Sequence, residues 1–337
     1  MISVFLLPAR LHAPLPGSAF GVFTGSLSAP VLELAPSPLW IAIVAIAGLL
    51  FGSFLNVCIA RLPHHRSILW PGSHCPHCQA GIRPYDNIPL VSFLLLRGRC
   101  RHCHTRISPR YPLVEAATAA LFLLATFHFG PGSAALLAAV FSFLLLGLLV
   151  MDAECFLLPD TFTLPGIAFG VAQSLLPVSG QAGEGGNSLG SPFSNHAADP
   201  AGGLIGCLHL AATTPFPTPA WPAWQGSLLG AAGAASLLLA IRWLYWVVRR
   251  QQGMGLGDVK LAALLGAWLG VAGASLALTL AVLLAALCGL ILMARPNQPG
   301  TDRPALRLPL GSFLSLGGLL TLYCGAPLLT WYFQFWR

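Results

Sequence analysis

Charged side chains are scarce in this sequence, and their scarcity excludes an ordinary soluble protein. The 337 residues include 17 Lys and Arg and 10 Asp and Glu, so 8% are charged and 56% are hydrophobic. Soluble domains carry about 25% charged residues. The apolar residues come in runs of roughly 18 or more, the length that crosses a bilayer core. The composition predicts an all-α polytopic membrane protein, with membrane lipid as its surroundings.

Features typical of secreted proteins are also missing. No basic segment precedes the short apolar stretch at residues 2–7, so the chain does not begin like a signal peptide. Prolines recur through residues 8–38, which predicts an irregular N-terminal extension at residues 1–38. Five of the nine cysteines lie singly, mostly within apolar runs, and do not resemble a secreted disulfide framework.

About eight transmembrane helices are predicted from the apolar runs. They cover residues 39–60, 113–129, 133–151, 160–178, 226–248, 259–270, 273–293 and 308–336, with a break near residues 270–273. Residues 179–224 are rich in Gly, Ser, Pro and Ala and almost uncharged, which predicts a flexible insert without a core. We expect the chain to divide into three parts. They are the extension at residues 1–38, residues 39–112 with the first span and a polar loop, and residues 113–337 with the remaining spans and the insert.

Basic residues concentrate in the loop between the first two spans. Residues 61–110 contain eight arginines and a single acid, Asp86. Nucleic-acid binding is one interpretation of such a segment. Because the segment is flanked by membrane spans, a cytoplasmic loop that follows the positive-inside rule is the simpler interpretation, and no nucleic-acid partner is predicted. Counting spans from that loop places Asp152 and Asp258 on its side of the membrane, and the 179–224 insert on the other.

Four cysteines in this loop form two Cys-x-x-Cys pairs. Cys75 and Cys78 make the first pair, Cys100 and Cys103 make the second, and 21 residues separate the pairs. This spacing is typical of a tetrahedral zinc site with four thiolate ligands. Two disulfides are the alternative, which a reducing cytoplasm disfavours. Since four thiolates leave no open coordination position, the predicted zinc is structural.

Two acids at the ends of apolar runs are the candidates for catalysis. Asp258 follows a glycine-rich stretch that includes Gly255 and Gly257 and precedes Lys260, which could adjust the proton affinity of a pair of acids. Asp152 directly ends the third apolar run, where a carboxylate is costly. Two carboxylates at a water-accessible pocket share one proton, so one acts as a base on water and the other as an acid.

Other interpretations of these acids remain open. Glu154 and Asp160 compete with Asp152 for the role of second carboxylate, although Asp160 follows a proline and also suits the N-cap of the fourth span. Asp258 could be only an N-cap, and Lys260 could be an interfacial lysine that reaches water. Acids at helix ends and glycine-broken spans also occur in transporters, and a zinc-ribbon scaffold without activity is a further alternative.

Several motifs in chain order resemble the type IV prepilin peptidases. The resemblance runs from about residue 48 to the last span. It rests on Phe51-Gly52-Ser53-Phe54-Leu55-Asn56-Val57, the two Cys-x-x-Cys pairs, Arg83-Pro84-Tyr85-Asp86-Asn87-Ile88-Pro89, Arg110-Tyr111-Pro112-Leu113-Val114-Glu115, Asp152 with Leu157-Leu158-Pro159-Asp160, and Gly255-x-Gly257-Asp258-x-Lys260-Leu261.

This resemblance implies a function and a site. It implies that Asp152 and Asp258 cleave the leader from prepilins or pseudopilins at the cytoplasmic face of the bacterial inner membrane. It further implies methylation of the new N-terminus with S-adenosylmethionine, and it assigns the Cys loop to the N-terminal part of bifunctional members. No Gly-rich nucleotide loop is visible in the sequence, so no residues are predicted to bind S-adenosylmethionine. Glu154, Asp160 or Asp86 are the expected counter-charges for a basic leader.

Overall fold

The computed structural model describes residues 36–70, 72–175, 223–251, 254–294 and 308–335. These residues form α-helices and short 3-10 turns, with two isolated β-bridges and no β-strand. The α-helices are α1 (Pro38–Arg61), α2 (Val91–Leu95), α3 (Arg110–Phe129), α4 (Ser133–Cys155), α5 (Asp160–Ser174), α6 (Ala223–Arg249), α7 (Leu256–Ala294) and α8 (Leu310–Phe335). The all-α prediction is confirmed for the described residues. Most of the predicted extension and most of the predicted insert lie outside them.

Five of these helices, α1, α3, α4, α6 and α7, are long and apolar enough to cross a membrane. The apolar part of α8, Leu310–Gly325, is shorter. Helix α5 has 15 residues and is shorter than the predicted fourth span. The structure therefore supports a multi-pass membrane protein whose helices differ in length.

Helix α7 contains a reversal of the chain at Gly270. This residue has φ 67° and ψ −172°, a conformation that glycine adopts without steric strain. Leu265 and Ala277 contact the adjacent residues Gly318 and Gly317 of α8, although a straight helix would separate them by about 18 Å along its axis. The break expected near residues 270–273 is thus confirmed, and the two arms of α7 correspond to the predicted sixth and seventh spans.

Small residues allow the helices to approach closely. A Cβ on Gly52 of α1 would lie 2.6 Å from Cα of Glu115 in α3. A Cβ on Gly266 of α7 would lie 2.1 Å from the carbonyl oxygen of Gly230 in α6. Membrane helices lack a hydrophobic driving force for association, so such backbone contacts supply dispersion energy instead.

Buried polar side chains join helices within the bundle. The hydroxyls of Ser142 in α4 and Tyr323 in α8 lie 2.8 Å apart. The Tyr323 hydroxyl also donates to the carbonyl of Leu121 in α3 at 3.2 Å. Ser227 of α6 donates to the carbonyl of Ala267 in α7 at 2.7 Å. Each bond satisfies a buried hydroxyl, so these contacts favour one arrangement of the helices.

The close contact between α6 and α7 predicts that alanine at two different glycine positions will change the stability of the protein by very different amounts. The change Gly266→Ala would force backbone against backbone, and we expect it to destabilise the protein by about 1–3 kcal/mol. Gly233→Ala in α6 is the control, because no atom of the described residues lies within 4 Å of a Cβ there. Thermal unfolding in detergent measures both. Equal midpoints for the two variants would show that α6 and α7 do not pack as described.

Candidate active site

The four paired cysteines converge in two hairpin-like turns with the same backbone pattern. The N–H of Cys75 donates to the carbonyl of Ala80, and the N–H of Cys100 donates to that of Thr105. The residue after each second cysteine, Gln79 or His104, has a positive φ of 56° or 53°. Isolated bridges between His74 and Gly81 and between Arg99 and Arg106 close the two turns. The pairs are therefore two copies of one local structure.

The four sulfurs form a cluster that could hold a metal ion. All of the ligand atoms lie within 4.8 Å of one another. The Sγ atoms of Cys75 and Cys103 are 3.8 Å apart, and those of Cys78 and Cys100 are 4.0 Å apart. A disulfide needs about 2.05 Å, and the four thiols are free in the structure. The geometry supports the four-ligand prediction over the disulfide alternative.

Local hydrogen bonds favour the thiolate form of two of these cysteines. The side chain and backbone of Thr105 lower the pKa of the Cys103 thiol to about 6. The backbone groups of Cys78 and His77 lower the pKa of Cys75. The backbone of Ala80 lowers the pKa of the Cys78 thiol, but desolvation and the neighbouring thiols outweigh it and raise this pKa to about 11. Because the thiolate is the form that ligates metals, the local hydrogen bonds favour metal binding by Cys75 and Cys103.

The cysteine loop is attached to the helix bundle through buried polar contacts. The backbone N–H of Leu90 donates to Oε2 of Glu115 in α3 at 2.9 Å, and the Glu115 residue is 8% exposed. Nδ2 of Asn56 in α1 donates to the carbonyl of Tyr111 at 2.9 Å. The first bond attaches the middle of the loop to α3, and the second joins α1 to the first turn of α3.

Asp152 lies in the last turn of α4 and is only 5% exposed. Its Oδ2 accepts a hydrogen bond from the backbone N–H of Ser312 at 2.6 Å and another from the Ser312 hydroxyl at 3.1 Å. Ser312 lies in the first turn of α8, where backbone N–H groups lack helical partners. The carboxylate therefore caps a helix from outside, which replaces part of the water that burial removed.

Asp258 lies in the first turn of α7, beside Asp152. The two carboxylates interact electrostatically, and a backbone group of Gly255 hydrogen-bonds to Asp258. Leu158 lies between the surroundings of the two acids. Its side chain contacts Gly257, next to Asp258, and Gly311, which contacts Asp152. Asp152 and Asp258 therefore occupy the same end of the helix bundle, as the span count predicts.

The two glycines before Asp258 differ in their surroundings. A Cβ on Gly257 would lie 3.0 Å from Cβ of Leu158, so this glycine allows α7 to approach the segment that follows α4. Among the described residues, a Cβ on Gly255 would meet only Oδ2 of Asp258 at 3.7 Å and the nitrogen of Gly257 at 3.8 Å. Gly255 therefore leaves open space beside the carboxylate, and Gly257 supports packing.

The other acids considered above are engaged in ion pairs. Lys260 donates to Oδ1 of Asp160, so this lysine pairs with Asp160 and not with the two central carboxylates. Glu154 pairs with Arg110, and Asp86 pairs with Arg101. The expectation that one of these acids is the counter-charge for a basic leader stays a prediction, and each of the three has a basic partner in the structure. The Arg110–Glu154 pair also places the cysteine loop and Asp152 at the same end of the bundle.

Sequence reasoning missed Gly311 and Ser312. Both lie just after Pro309 at the start of α8 and contact Asp152. A usable signal was present, because the span count puts the start of the eighth span on the same side as both acids. The signal was weak, since a Gly-Ser pair at a helix start has no chemical signature of its own.

Comparisons with known proteins agree with this geometry. Residues 46–129 match the bacterial peptidase A24 N-terminal domain, and residues 201–293 match the type IV leader peptidase family. A protein named prepilin leader peptidase/N-methyltransferase from Burkholderia pseudomallei (strain 1026b) is 32% identical over 317 residues, which are 87% of this chain and 88% of the relative. This chain belongs to the type IV leader peptidase family.

Other relatives cover similar shares of the chain. A prepilin leader peptidase/N-methyltransferase from Pseudomonas aeruginosa is 32% identical over 332 residues, covering 91% of this chain and 98% of the relative. A type 4 prepilin-like proteins leader peptide-processing enzyme from Escherichia coli O78:H11 is 36% identical over 302 residues, covering 84% and 94%. No solved structure matches. The N-terminal family match contains the whole cysteine cluster, and the second match contains Asp258 but begins after Asp152.

The proximity of Asp152 and Asp258 predicts a specific cross-link. In a background that lacks the five cysteines outside the cluster, we expect the double change Asp152→Cys and Asp258→Cys to be joined by a short bifunctional maleimide. Ser174→Cys with Asp258→Cys is the control, since Ser174 lies about 21 Å along α5 from Asp160. Mass spectrometry of the digested protein detects the cross-link. Absence of the cross-link in the first variant would show that the two acids are too far apart to act together.

Proposed function

We propose that this chain cleaves the leader peptide of type IV prepilins or type II secretion pseudopilins. The reaction takes place at the cytoplasmic face of the bacterial inner membrane, and the enzyme then methylates the new N-terminus. The names of relatives that cover most of the chain support the substrate class. One observation of the structure carries the proposal: Asp152 and Asp258, from separate helices, meet at the end of the bundle that also holds the basic loop.

The two aspartates supply the groups that peptide hydrolysis needs. One carboxylate accepts a proton from a water molecule, whose oxygen attacks the scissile carbonyl carbon. The other, protonated carboxyl donates its proton to the carbonyl oxygen as the tetrahedral intermediate forms. The C–N bond then breaks as the leaving nitrogen takes the proton that the first carboxylate accepted from water, and the hydroxyl on the former carbonyl carbon returns a proton to the second carboxylate. Because the pair shares one proton, it titrates with two apparent pKa values that belong to both residues together.

The position of the acids suits a substrate with an apolar helix. Such a helix would lie among the membrane helices, with its leader on the side of the basic loop. The scissile bond would then reach the end of α4 and the start of α7. The open space beside Gly255 leaves room for a substrate backbone next to Asp258. The basic loop would repel a basic leader, so its arginines are assigned to membrane topology and to the fold of the loop.

A transporter is the main alternative, and the depth of the acids argues against it. Transport sites lie near the bilayer midplane, between broken helices. Asp152 lies in the last turn of α4 and Asp258 in the first turn of α7, so both lie near one surface of the bundle. Gly270 lies about 18 Å along α7 from Asp258, and residues 259–270 contain no acid.

The four-cysteine cluster fits structural zinc. Ligands about 2.3 Å from a tetrahedral zinc ion lie about 3.8 Å from one another. The sulfur separations of 3.8 and 4.0 Å agree with that arrangement. Cys75, Cys78, Cys100 and Cys103 would hold the ion and leave no position for water or substrate. The zinc would therefore join the two turns of the loop and take no part in peptide cleavage.

Methylation requires S-adenosylmethionine, which supplies the methyl group. The amine that cleavage releases is the acceptor. The described residues contain no strand–turn–helix unit of the kind that holds nucleotide cofactors. No residue of this chain is therefore assigned to the cofactor, and the relatives' names carry this part of the proposal.

Replacing either central aspartate should abolish leader cleavage. We expect Asp152→Asn and Asp258→Asn each to lower the rate of processing of a prepilin precursor by about 10³-fold or more, because each removes a proton-transfer group. Asp160→Asn and Glu154→Gln are the comparison variants, expected to stay within about tenfold of the parent. Mass spectrometry of the product, with and without S-adenosylmethionine, separates cleavage from methylation. Normal processing by Asp152→Asn would move the catalytic role to Asp160 or Glu154.

Zinc should protect the four paired cysteines from alkylation. We expect about one zinc per chain and slow labelling of the cluster by iodoacetamide, because coordinated thiolates are unavailable to the reagent. Cys155 is exposed and lies outside the cluster, so it should be labelled at once and serves as the internal control. A strong chelator should release the four thiols. Labelling of the cluster as fast as Cys155 before chelation would contradict a bound metal.

A further inference from the structure

The contacts of the two aspartates are unequal. Oδ2 of Asp152 receives two hydrogen bonds from Ser312, through its backbone N–H at 2.6 Å and its hydroxyl at 3.1 Å. Among the described residues, Asp258 interacts with one backbone group, that of Gly255. The start of α8 therefore offers Asp152 more hydrogen-bond donors than Asp258 receives.

The backbone N–H of Ser312 requires Oδ2 of Asp152 to be a hydrogen-bond acceptor. An amide N–H can only donate, so at 2.6 Å it requires Oδ2 of Asp152 to act as an acceptor. The N-terminus of α8 adds partial positive charge on the same side. Hydrogen bonds to a carboxylate stabilise its ionised form. These contacts hold Asp152 as the carboxylate of the pair.

The Ser312 hydroxyl can adapt to the state of the carboxylate. It lies 2.9 Å from the carbonyl oxygen of Leu149 and 3.1 Å from Oδ2 of Asp152, yet it carries a single hydrogen. When Asp152 is ionised, the hydroxyl can donate to it. When Asp152 accepts a proton from water on Oδ1, the hydroxyl can donate to Leu149 instead. Ser312 thus keeps a partner throughout the proton transfer.

Gly311 supplies the space for this arrangement. A Cβ at this position would lie 2.9 Å from Cγ of Asp152 and 2.9 Å from Cδ1 of Leu158. Any side chain there would push the carboxylate away from the N–H of Ser312. The Gly-Ser pair at the start of α8 is therefore matched to Asp152 in both shape and hydrogen bonding.

No other described charge competes for this role. Helix α7 contributes Asp258 itself and Lys260, and Lys260 is paired with Asp160 of α5. Helix α3 contributes Arg110, which is paired with Glu154. The described contacts of α8 with Asp152 come from Gly311 and Ser312, which are uncharged.

We propose that Ser312 is a positioning residue that makes Asp152 the general base of the pair and leaves the shared proton on Asp258. Asp152 then takes the proton of the attacking water, and Asp258 gives its proton to the scissile carbonyl oxygen. This assignment rests on the proposed two-aspartate cleavage and adds to it which aspartate has which role.

The variant Ser312→Ala tests this assignment, with Ser312→Thr as the conservative change. We expect Ser312→Ala to lower kcat about tenfold with KM within about twofold, because one donor to an ionised group is lost and substrate contacts stay. The acidic limb of the profile of kcat/KM against pH should move to higher pH by about 0.5–1 unit, since Asp152 is protonated more easily. Ser312→Thr, which keeps the hydroxyl, should restore both. Gly311→Ala should lower kcat further, by about 100-fold, because it displaces the carboxylate.

Ser315→Ala is the matched control. Ser315 lies one turn further along α8, is fully buried, and its hydroxyl has no hydrogen-bond partner among the described residues. We expect this variant to keep the parent's kcat and pH profile. Activities are compared per folded protein after extraction into detergent, with a prepilin precursor as substrate. An acidic limb that stays in place in Ser312→Ala, or an equal loss in Ser315→Ala, overturns the role of Ser312. Loss of cleavage in Asp152→Asn would then still support the two-aspartate proposal, whereas full activity of Asp152→Asn would overturn both.

Discussion

A carboxylate at the end of a membrane helix is stable only where donors replace the water that it has lost. Asp152 meets this requirement through the first turn of α8, which brings the chain's last described helix to the end of α4. Leu158 contacts both Gly311 of α8 and Gly257 of α7, so the first turns of these two helices pack against the same side chain. These hydrogen bonds and the packing of Leu158 together hold α4, α7 and α8 at one end of the bundle.

The cysteine loop and the paired aspartates are joined by the same helices. Glu115 accepts from the backbone of Leu90, and Arg110 pairs with Glu154, so α3 contacts the loop at one point and α4 near Asp152 at another. A metal-bound loop would restrict the start of α3. The loop and the two aspartates are therefore connected through one helix.

Much of this architecture can be predicted from local patterns in the sequence. The apolar runs, the break at Gly270 and the two Cys-x-x-Cys pairs are local features. Among the described residues the structure has the break, the cysteine cluster and five helices long and apolar enough to cross a membrane, where about eight spans were predicted. The span count places both aspartates at one end because each crossing reverses the direction of the chain. Which groups contact them is a tertiary property, so Ser312, the pairing of Lys260 with Asp160, and the repeated turns of the cysteine loop were not predicted.

The reversal at Gly270 also affects the lipid around the site. The arm of α7 that carries Asp258 covers residues 256–269, which is about 21 Å of helix. The hydrocarbon core of a bilayer is about 30 Å thick, and a mismatch of this size is relieved by local thinning. The membrane beside Asp258 should therefore form a shallow depression. Such a depression would bring interfacial water down to the carboxylates and shorten the stretch of an incoming peptide that must leave the lipid.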